Sequence, residues 1–247
     1  MSSELRPRRR SLWRSFSRGV KRLRKNSFVS LLLDIAIILG TALVLSVLIK
    51  AFLIRSFFIP SGSMLETLQI NDRIIVNVMV PEVVGVSHGD VVVFQDPGGW
   101  LGPVREDNRE WYQELGDFVL GSFGITAPDS DEHLVKRVIG MPGDTVVCCD
   151  ENGQLTINGV AINEVYLPNG AEPSNMEFSV TVPDDSYWVM GDNRGNSQDS
   201  RFHTDLPGGG FVHEEFLVGR AFVVSWPVEN WNWLDNFSEV FDDVPKP

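Results

Sequence analysis

An apolar stretch from Leu31 to Ile54 limits what this chain can fold into more than any other feature. Its 24 residues read LLLDIAIILGTALVLSVLIKAFLI. As a helix they would extend about 36 Å, which is enough to cross a hydrocarbon core of about 30 Å. The two charged residues, Asp34 and Lys50, each lie within about one turn of an end, where headgroups and water are within reach. The pattern predicts a transmembrane helix over residues 31–54.

Charge is distributed unevenly on the two sides of this stretch. Residues 1–26 contain ten Lys or Arg and one acidic residue, whereas residues 56–247 contain nine Lys or Arg and 31 Asp or Glu. The positive-inside rule therefore predicts a cytoplasmic tail over residues 1–30 and an outer location for everything after the helix. A cleavable signal sequence also starts this way, but its apolar run is shorter and a small-x-small site follows it. We expect an uncleaved anchor, and a basic tail that contacts membrane lipid rather than nucleic acid.

The outer part is predicted to be mostly β, with antiparallel sheets. Short β-branched and aromatic runs recur between turn residues. Asn158-Gly159 lies between alternating apolar residues and predicts a two-residue hairpin. Residues 95–133 are rich in Gly, Pro, Asp and Glu and are predicted to be a surface insertion, with Trp111–Phe118 as its candidate helix. The predicted strands are Ile74–Val76, Val91–Phe94, Val135–Ile139, Thr145–Cys148, Phe178–Val182, Tyr187–Met190 and Phe222–Trp226.

Cysteine and histidine usage gives little indication of a metal site. Cys148 and Cys149 are adjacent, so their Cα atoms lie about 3.8 Å apart, below the range of about 4.4–6.8 Å that disulfides prefer. An oxidising compartment would still permit a bridge, and both free thiols and a vicinal disulfide stay open. The four histidines are scattered without ligand spacing. We expect neither a metal ion nor a cofactor.

Three short segments carry residue types suited to catalysis. Ile59–Met64 reads IPSGSM, and its two serines around a glycine fit either a nucleophile with oxyanion donors or an ordinary linker. Lys136 stands in an apolar strand: it is either a neutral general base or an edge-strand charge that reaches water. Gly191–Arg201 reads GDNRGNSQDSR, a polar turn that either orients a catalytic group or is simply held by an Asp–Arg pair.

In this order after one anchor, and with GDVVVF at Gly89–Phe94, the segments SGSM, KRVIGMPGD and GDNRGNSQDSR resemble the type I signal peptidases (leader peptidases) of bacteria. The resemblance implies a Ser/Lys dyad serine protease. Ser63 matches the nucleophile and Lys136 the general base. The hydroxyl of Ser61, with the backbone N–H of Ser63, matches the oxyanion hole. Histidine is absent from all three segments, which excludes a Ser-His-Asp triad there.

The third segment matches residues that support the lysine in this family. By the resemblance, Ser197 hydrogen-bonds the lysine, while Asp199 and Arg201 form an ion pair beside the site. The resemblance also implies the domain organisation. A signal-peptidase-like antiparallel β catalytic domain would comprise residues 55–144 and 187–247, with a smaller β domain inserted over 145–186.

The implied substrates are preproteins whose signal peptides carry small residues at positions −1 and −3, often Ala-x-Ala. By the resemblance they bind as an added strand, with side chains in small apolar pockets. Such a protein would lie in a bacterial plasma membrane, near the secretion translocase. The residues expected to form the pocket walls are Ile59, Pro60, Met64, Leu134 and Val135.

Three tryptophans near the end of the chain, Trp226, Trp231 and Trp233, fit a membrane interface, although ordinary core packing and surface aromatics are the alternative. Two rival classes also stay open. A self-cleaving repressor-type protease shares the dyad, but the membrane helix and the acidic outer part oppose it. A non-enzymatic anchored β module would not need the two dyad residues.

Overall fold

A predominantly apolar run forms the one α-helix in the described part of the chain, which comprises residues 27–102 and 133–245 of a computed structural model. Helix α1 spans Ser27–Phe52. It therefore begins before the predicted start at Leu31 and ends before Ile54, which is the first residue of a strand. Its residues 30–47 are long and apolar enough to cross a membrane.

The rest of the described chain is mostly β structure, as predicted. The strands of its large sheet are β1 Ile54–Phe58, β2 Arg73–Asn77, β3 Val91–Gln95, β4 His133–Gly140, β9 Ser186–Met190, β10 Val212–His213, β11 Leu217–Trp226 and β12 Asn232–Trp233. These eight strands have the order β1-β2-β11-β3-β4-β9-β10, with β12 paired to β11, and all of the pairings are antiparallel. Each predicted strand overlaps an observed one.

A smaller antiparallel sheet lies within the segment 145–186. Its strands are β5 Thr145–Cys148, β6 Thr156–Ile157, β7 Val160–Ala161 and β8 Phe178–Thr181. Their order in the sheet is β7-β6-β5-β8, and the predicted hairpin joins β6 to β7. Asn158 and Gly159 both have positive φ, 53° and 80°, as a tight two-residue turn between twisted strands requires. Cys148, at the end of β5, is bonded to Cys149 in a vicinal disulfide.

The two sheets share a hydrophobic core. Ile139 and Trp188 of the large sheet belong to the same buried cluster as Val146 and Ile157 of the small sheet. Residues 50–247 accordingly form one compact unit. The separation into a catalytic and an inserted domain stays a prediction, because no gap in packing divides the sheets. Short 3₁₀ helices lie between strands at Arg194–Asn196, Ser200–Phe202, Glu214–Phe216 and Val228–Asn230, and a fifth, Ser238–Val240, follows the last strand.

The predicted insertion over 95–133 is the connection between β3 and β4. Its two end residues are register partners in the large sheet, Gln95 opposite His133, so they belong to the sheet and not to the insertion. The Asp96 carboxylate accepts backbone N–H groups from the following turn, including that of Trp100. The Trp100 ring stacks on His203 with 4.3 Å between centroids. The predicted helix at Trp111–Phe118 lies outside the described residues.

Candidate active site

The SGSM segment lies in the loop between β1 and β2. Backbone hydrogen bonds close this loop at its base, from Ile59 N–H to the Asp72 carbonyl and from Asn71 N–H to the Ile59 carbonyl, both 2.9 Å. Met64 and Leu68 are fully buried and hold the turn against the large sheet. Ser63 is thereby left half-buried, with its backbone fixed by the apolar side chain that follows it.

Lys136 points at this serine from strand β4. Its Nζ lies 2.9 Å from the Ser63 Oγ and also donates to the Val135 carbonyl at 2.9 Å. The alternative of an edge strand whose charges reach water is wrong, because β4 lies between β3 and β9 inside the sheet. Lys136 is only 3% exposed, and the neighbouring Arg137 is completely buried.

Burial determines the protonation of Lys136. Desolvation lowers its pKa from 10.5 to about 8, and the negative charges of Asp199 and Asp192 offset part of that effect. An ammonium group that is taken out of water loses hydration that nearby carboxylates only partly replace. A lysine with this pKa is neutral in a substantial fraction of molecules near pH 8, which is what a general base needs.

The two residues predicted for the oxyanion hole, Ser61 and Ser63, have neighbouring hydroxyl groups. Ser61 is exposed, and its Oγ is 3.5 Å from the Ser63 Oγ. The predicted wall residues are divided between two apolar clusters. Ile59, Met64 and Val135 share one cluster, whereas Leu134 packs in another, because alternation along β4 points Leu134 and Val135 to opposite faces. Pro60 is exposed.

The predicted ion pair of the third segment is present. Arg201 donates from Nε and Nη2 to the two carboxylate oxygens of Asp199, each at 2.8 Å, and both side chains are fully buried. Asp199 also accepts the Gly191 N–H at 3.0 Å. Gly191 must lack a side chain, because a Cβ there would overlap the Ser63 carbonyl and the Ser197 Oγ.

The hydrogen bond expected between Ser197 and Lys136 is not made. The Ser197 Oγ is buried without a hydrogen-bond partner among the described residues. The lysine nitrogen is directed instead at Ser63 and at the Val135 carbonyl. Ser197 still lies close to the site, above Gly191.

Several residues that fix the site were not predicted from the sequence. Arg137 forms a bidentate ion pair with Asp192, at 2.9 and 2.7 Å, and Thr67 donates to the same carboxylate at 2.5 Å. Arg194 forms a second bidentate pair with Glu164, at 3.0 and 2.5 Å. The charged residues of the GDNR motif could have indicated buried ion pairs. The sequence does not show which residues they pair with, because the partners are distant along the chain.

A family model described as "Signal peptidase, peptidase S26" matches residues 32–226. This chain belongs to that family. It is 37% identical over 226 residues to signal peptidase I of Mycobacterium tuberculosis, covering 82% of this chain and 75% of the relative. It is 35% identical over 211 residues to signal peptidase I of Bacillus amyloliquefaciens, covering 82% and 92%. A crystal structure of signal peptidase I from Enterococcus faecalis aligns with 24% identity and a TM-score of 0.34, over 55% of this chain and 95% of that one.

Membership in the signal peptidase family confirms the resemblance and the enzyme class. The chain is a serine endopeptidase, and the family supports the removal of signal peptides as its function. Family membership by itself does not assign the roles of individual residues, the cleavage specificity or the membrane topology. Among the described residues, no cluster of three His, Cys, Asp or Glu side chains could hold a metal ion.

Proposed function

We propose that this peptidase cleaves preproteins through a Ser/Lys dyad, with Ser63 as the nucleophile and Lys136 as the general base. One observation carries the proposal: a lysine nitrogen that is almost completely buried lies 2.9 Å from the hydroxyl of a serine in a fixed turn. In its neutral form this nitrogen has a lone pair that can accept the serine proton. The lowered pKa of Lys136, about 8, makes that form accessible.

The reaction would proceed in two halves. Ser63 Oγ attacks the carbonyl carbon of the scissile bond while its proton moves to Lys136, and the resulting ammonium protonates the leaving amine of the mature protein. This yields an acyl-enzyme on Ser63. Lys136 then takes a proton from water, the hydroxide attacks the ester, and the signal peptide leaves with a new carboxylate as Ser63 regains its proton.

The tetrahedral intermediates of both halves need hydrogen-bond donors for their oxyanion. We assign this role to the Ser61 hydroxyl and the Ser63 backbone N–H. The 3.5 Å between the two Oγ atoms supports the assignment, because it brings the Ser61 hydroxyl next to the attacked carbonyl. Removal of one such donor typically reduces kcat by about 10²–10³.

Signal peptides with small residues at −1 and −3, such as Ala-x-Ala, are the proposed substrates. A bound strand would place alternate side chains against the protein. Ile59, Met64 and Val135 share one packed apolar cluster at the base of the nucleophile loop, and we assign the floor of a small, apolar subsite to this cluster. Leu134 and Pro60 stay predictions for the same walls.

We further propose that the enzyme is anchored in a bacterial plasma membrane by α1, with residues 1–30 in the cytoplasm and the β part outside. The apolar length of α1 and the basic residues before it support this topology. Trp226, Trp231 and Trp233 are 56%, 54% and 60% exposed, so ordinary core packing does not account for them. Large exposed indoles fit contact with lipid headgroups. A location near the secretion translocase would supply the preproteins.

A gel assay in detergent tests the proposal. A preprotein with an Ala-x-Ala signal is incubated with the wild type, Ser63→Ala, Lys136→Ala and the control Ser179→Ala, which changes an exposed serine of β8. We expect mature-size product from the wild type and the control alone. Equal cleavage by all four would contradict the dyad. If a known signal peptidase cuts the substrate and none of the four folded proteins does, the chain acts as a non-enzymatic module.

A further inference from the structure

Both peptide groups that flank the nucleophile are held by one residue, Asn193. Its side-chain amide donates to the Gly62 carbonyl at 2.9 Å, and its backbone N–H donates to the Ser63 carbonyl at 3.1 Å. The Gly62 carbonyl also accepts a longer bond, 3.3 Å, from the Leu65 N–H within the same turn. Asn193 is thus the partner from outside the nucleophile loop that fixes the chain on either side of Ser63.

The bond to Gly62 has a consequence for the oxyanion hole because peptide groups are planar. The Gly62 carbonyl and the Ser63 N–H belong to one trans peptide plane and point in opposite directions. A group that fixes the carbonyl therefore fixes the direction in which the Ser63 N–H points. That N–H is the backbone donor assigned above to the oxyanion, and a donor that is already aimed costs no reorganisation during the reaction.

The loop that carries Asn193 is itself immobilised by charge pairs on both sides. Asp192 is bound by the guanidinium of Arg137, and Arg194 is bound by Glu164, with all four side chains buried. Arg194 Nε also donates to the Gly191 carbonyl at 3.0 Å. Buried bidentate pairs of this kind fix geometry, because moving either partner would expose an uncompensated charge.

We propose that Asn193 is the positioning residue of the oxyanion hole, which it orients through the Gly62–Ser63 peptide. The inference rests on the proposed roles of Ser63 and Ser61. Asn193 does not touch the substrate in this account, and its effect is confined to the transition state. Loss of its amide should therefore lower kcat and leave KM unchanged, since ground-state binding does not use the oxyanion donors.

The test compares Asn193→Ala with Asn193→Asp, which keeps the shape but replaces the donor by an acceptor. Asn196→Ala is the control, since it removes an exposed amide from the same loop. On a signal-peptide substrate we expect a loss of about 10- to 100-fold in kcat for both Asn193 variants, part of the about 10²–10³ for a deleted donor. For both variants KM should stay within about twofold. The pH midpoint of the reaction should not move in Asn193→Ala, because this change alters no charge near Lys136. Asn193→Asp adds a carboxylate that raises the pKa of a neighbouring lysine, so its kcat is compared at the high-pH plateau. The control should match the wild type.

A double variant with Ser61→Ala separates this role from a general structural one. If Asn193 acts through the oxyanion, the combined loss should be smaller than the product of the single losses, because both changes affect one group of donors. For Asn193→Ala, multiplicative losses, an unchanged kcat, or a loss that disappears at high pH would each overturn the inference. If thermal melting shows that Asn193→Ala does not fold, the isosteric Asn193→Asp provides the kcat that is compared with the wild type.

A second readout keeps this inference distinct from the proposed function. A ¹³C-labelled peptide aldehyde ending in alanine adds to the serine hydroxyl and places an oxygen where the oxyanion forms, so its carbon resonance reports the adduct without any preprotein. We expect a weaker adduct with Asn193→Ala than with Asn196→Ala, and none with Ser63→Ala. Equal adducts for the two asparagine variants would refute the role of Asn193. Absence of Ser63-dependent preprotein cleavage by the wild type would refute the proposed function alone.

Discussion

Replacing Lys136 by Met should make the folded protein more stable at neutral pH while abolishing activity. Lowering the pKa of Lys136 from 10.5 to about 8 means that folding must remove a proton or bury a charge. One pKa unit corresponds to about 1.4 kcal/mol, so below pH 8 the shift lowers the free energy of unfolding of the wild type by about 3 kcal/mol. Met fills similar space without a charge, but it leaves the Val135 carbonyl without its side-chain donor, at about 1 kcal/mol. The net gain at pH 7 is therefore about 2 kcal/mol.

The sign of this effect should reverse with pH. Between pH 8 and 10.5 the unfolded lysine still binds a proton that the folded one has lost, so the wild type becomes more stable as pH rises through this window. The charge penalty has largely disappeared at pH 10.5. There the lost hydrogen bond remains, and Lys136→Met should be less stable than the wild type by about 1 kcal/mol.

Urea unfolding of the purified protein in detergent, at half-unit intervals from pH 6 to 10.5, measures this difference. Ser63→Ala serves as the control, because it is also inactive but keeps the lysine, and its stability should follow the wild-type pH dependence. A difference between wild type and Lys136→Met that stays constant across the range would refute the reasoning. Lys136 would then not be desolvated enough to act as a neutral base.

Further outcomes follow from the same contacts. Lys136→Arg should abolish cleavage at every pH from 6 to 10, because a guanidinium does not deprotonate, and substantial residual turnover in the gel assay would contradict the general-base role. Gly191→Ala would place a Cβ 2.5 Å from the Ser63 carbonyl, so we expect a lower melting temperature and loss of activity, and a fully active, equally stable variant would be inconsistent with the packing. Glu164→Gln leaves the charge of buried Arg194 unpaired and should cost about 3–5 kcal/mol in urea unfolding, against no change for the exposed Glu151→Gln.

The strands and the hairpin could be predicted because their patterns are local. Alternating β-branched residues and the Asn158-Gly159 turn act over a few neighbours, and the structure has strands where those patterns occur. The long apolar run likewise predicted a helix. The end of the helix could not be placed from the sequence, because the apolar residue Ile54 suits a membrane helix and a buried strand equally well. In the structure Ile54 pairs with Asn77 of β2 and therefore belongs to a strand.

The amino-acid sequence alone predicts which residues carry the chemistry: the serines of SGSM, one lysine in an apolar strand and a polar GDNR turn. The environment of these residues follows from the tertiary structure. Whether Lys136 is exposed or buried depends on β4 having a neighbour on each side, and its distance to Ser63 depends on where the β1–β2 loop folds back. The sequence also did not predict the support from Asn193, nor that Ser197 has no hydrogen-bond partner within residues 27–102 and 133–245. Hydrogen bonds between distant segments follow from sheet register and loop packing, and no local pattern encodes them.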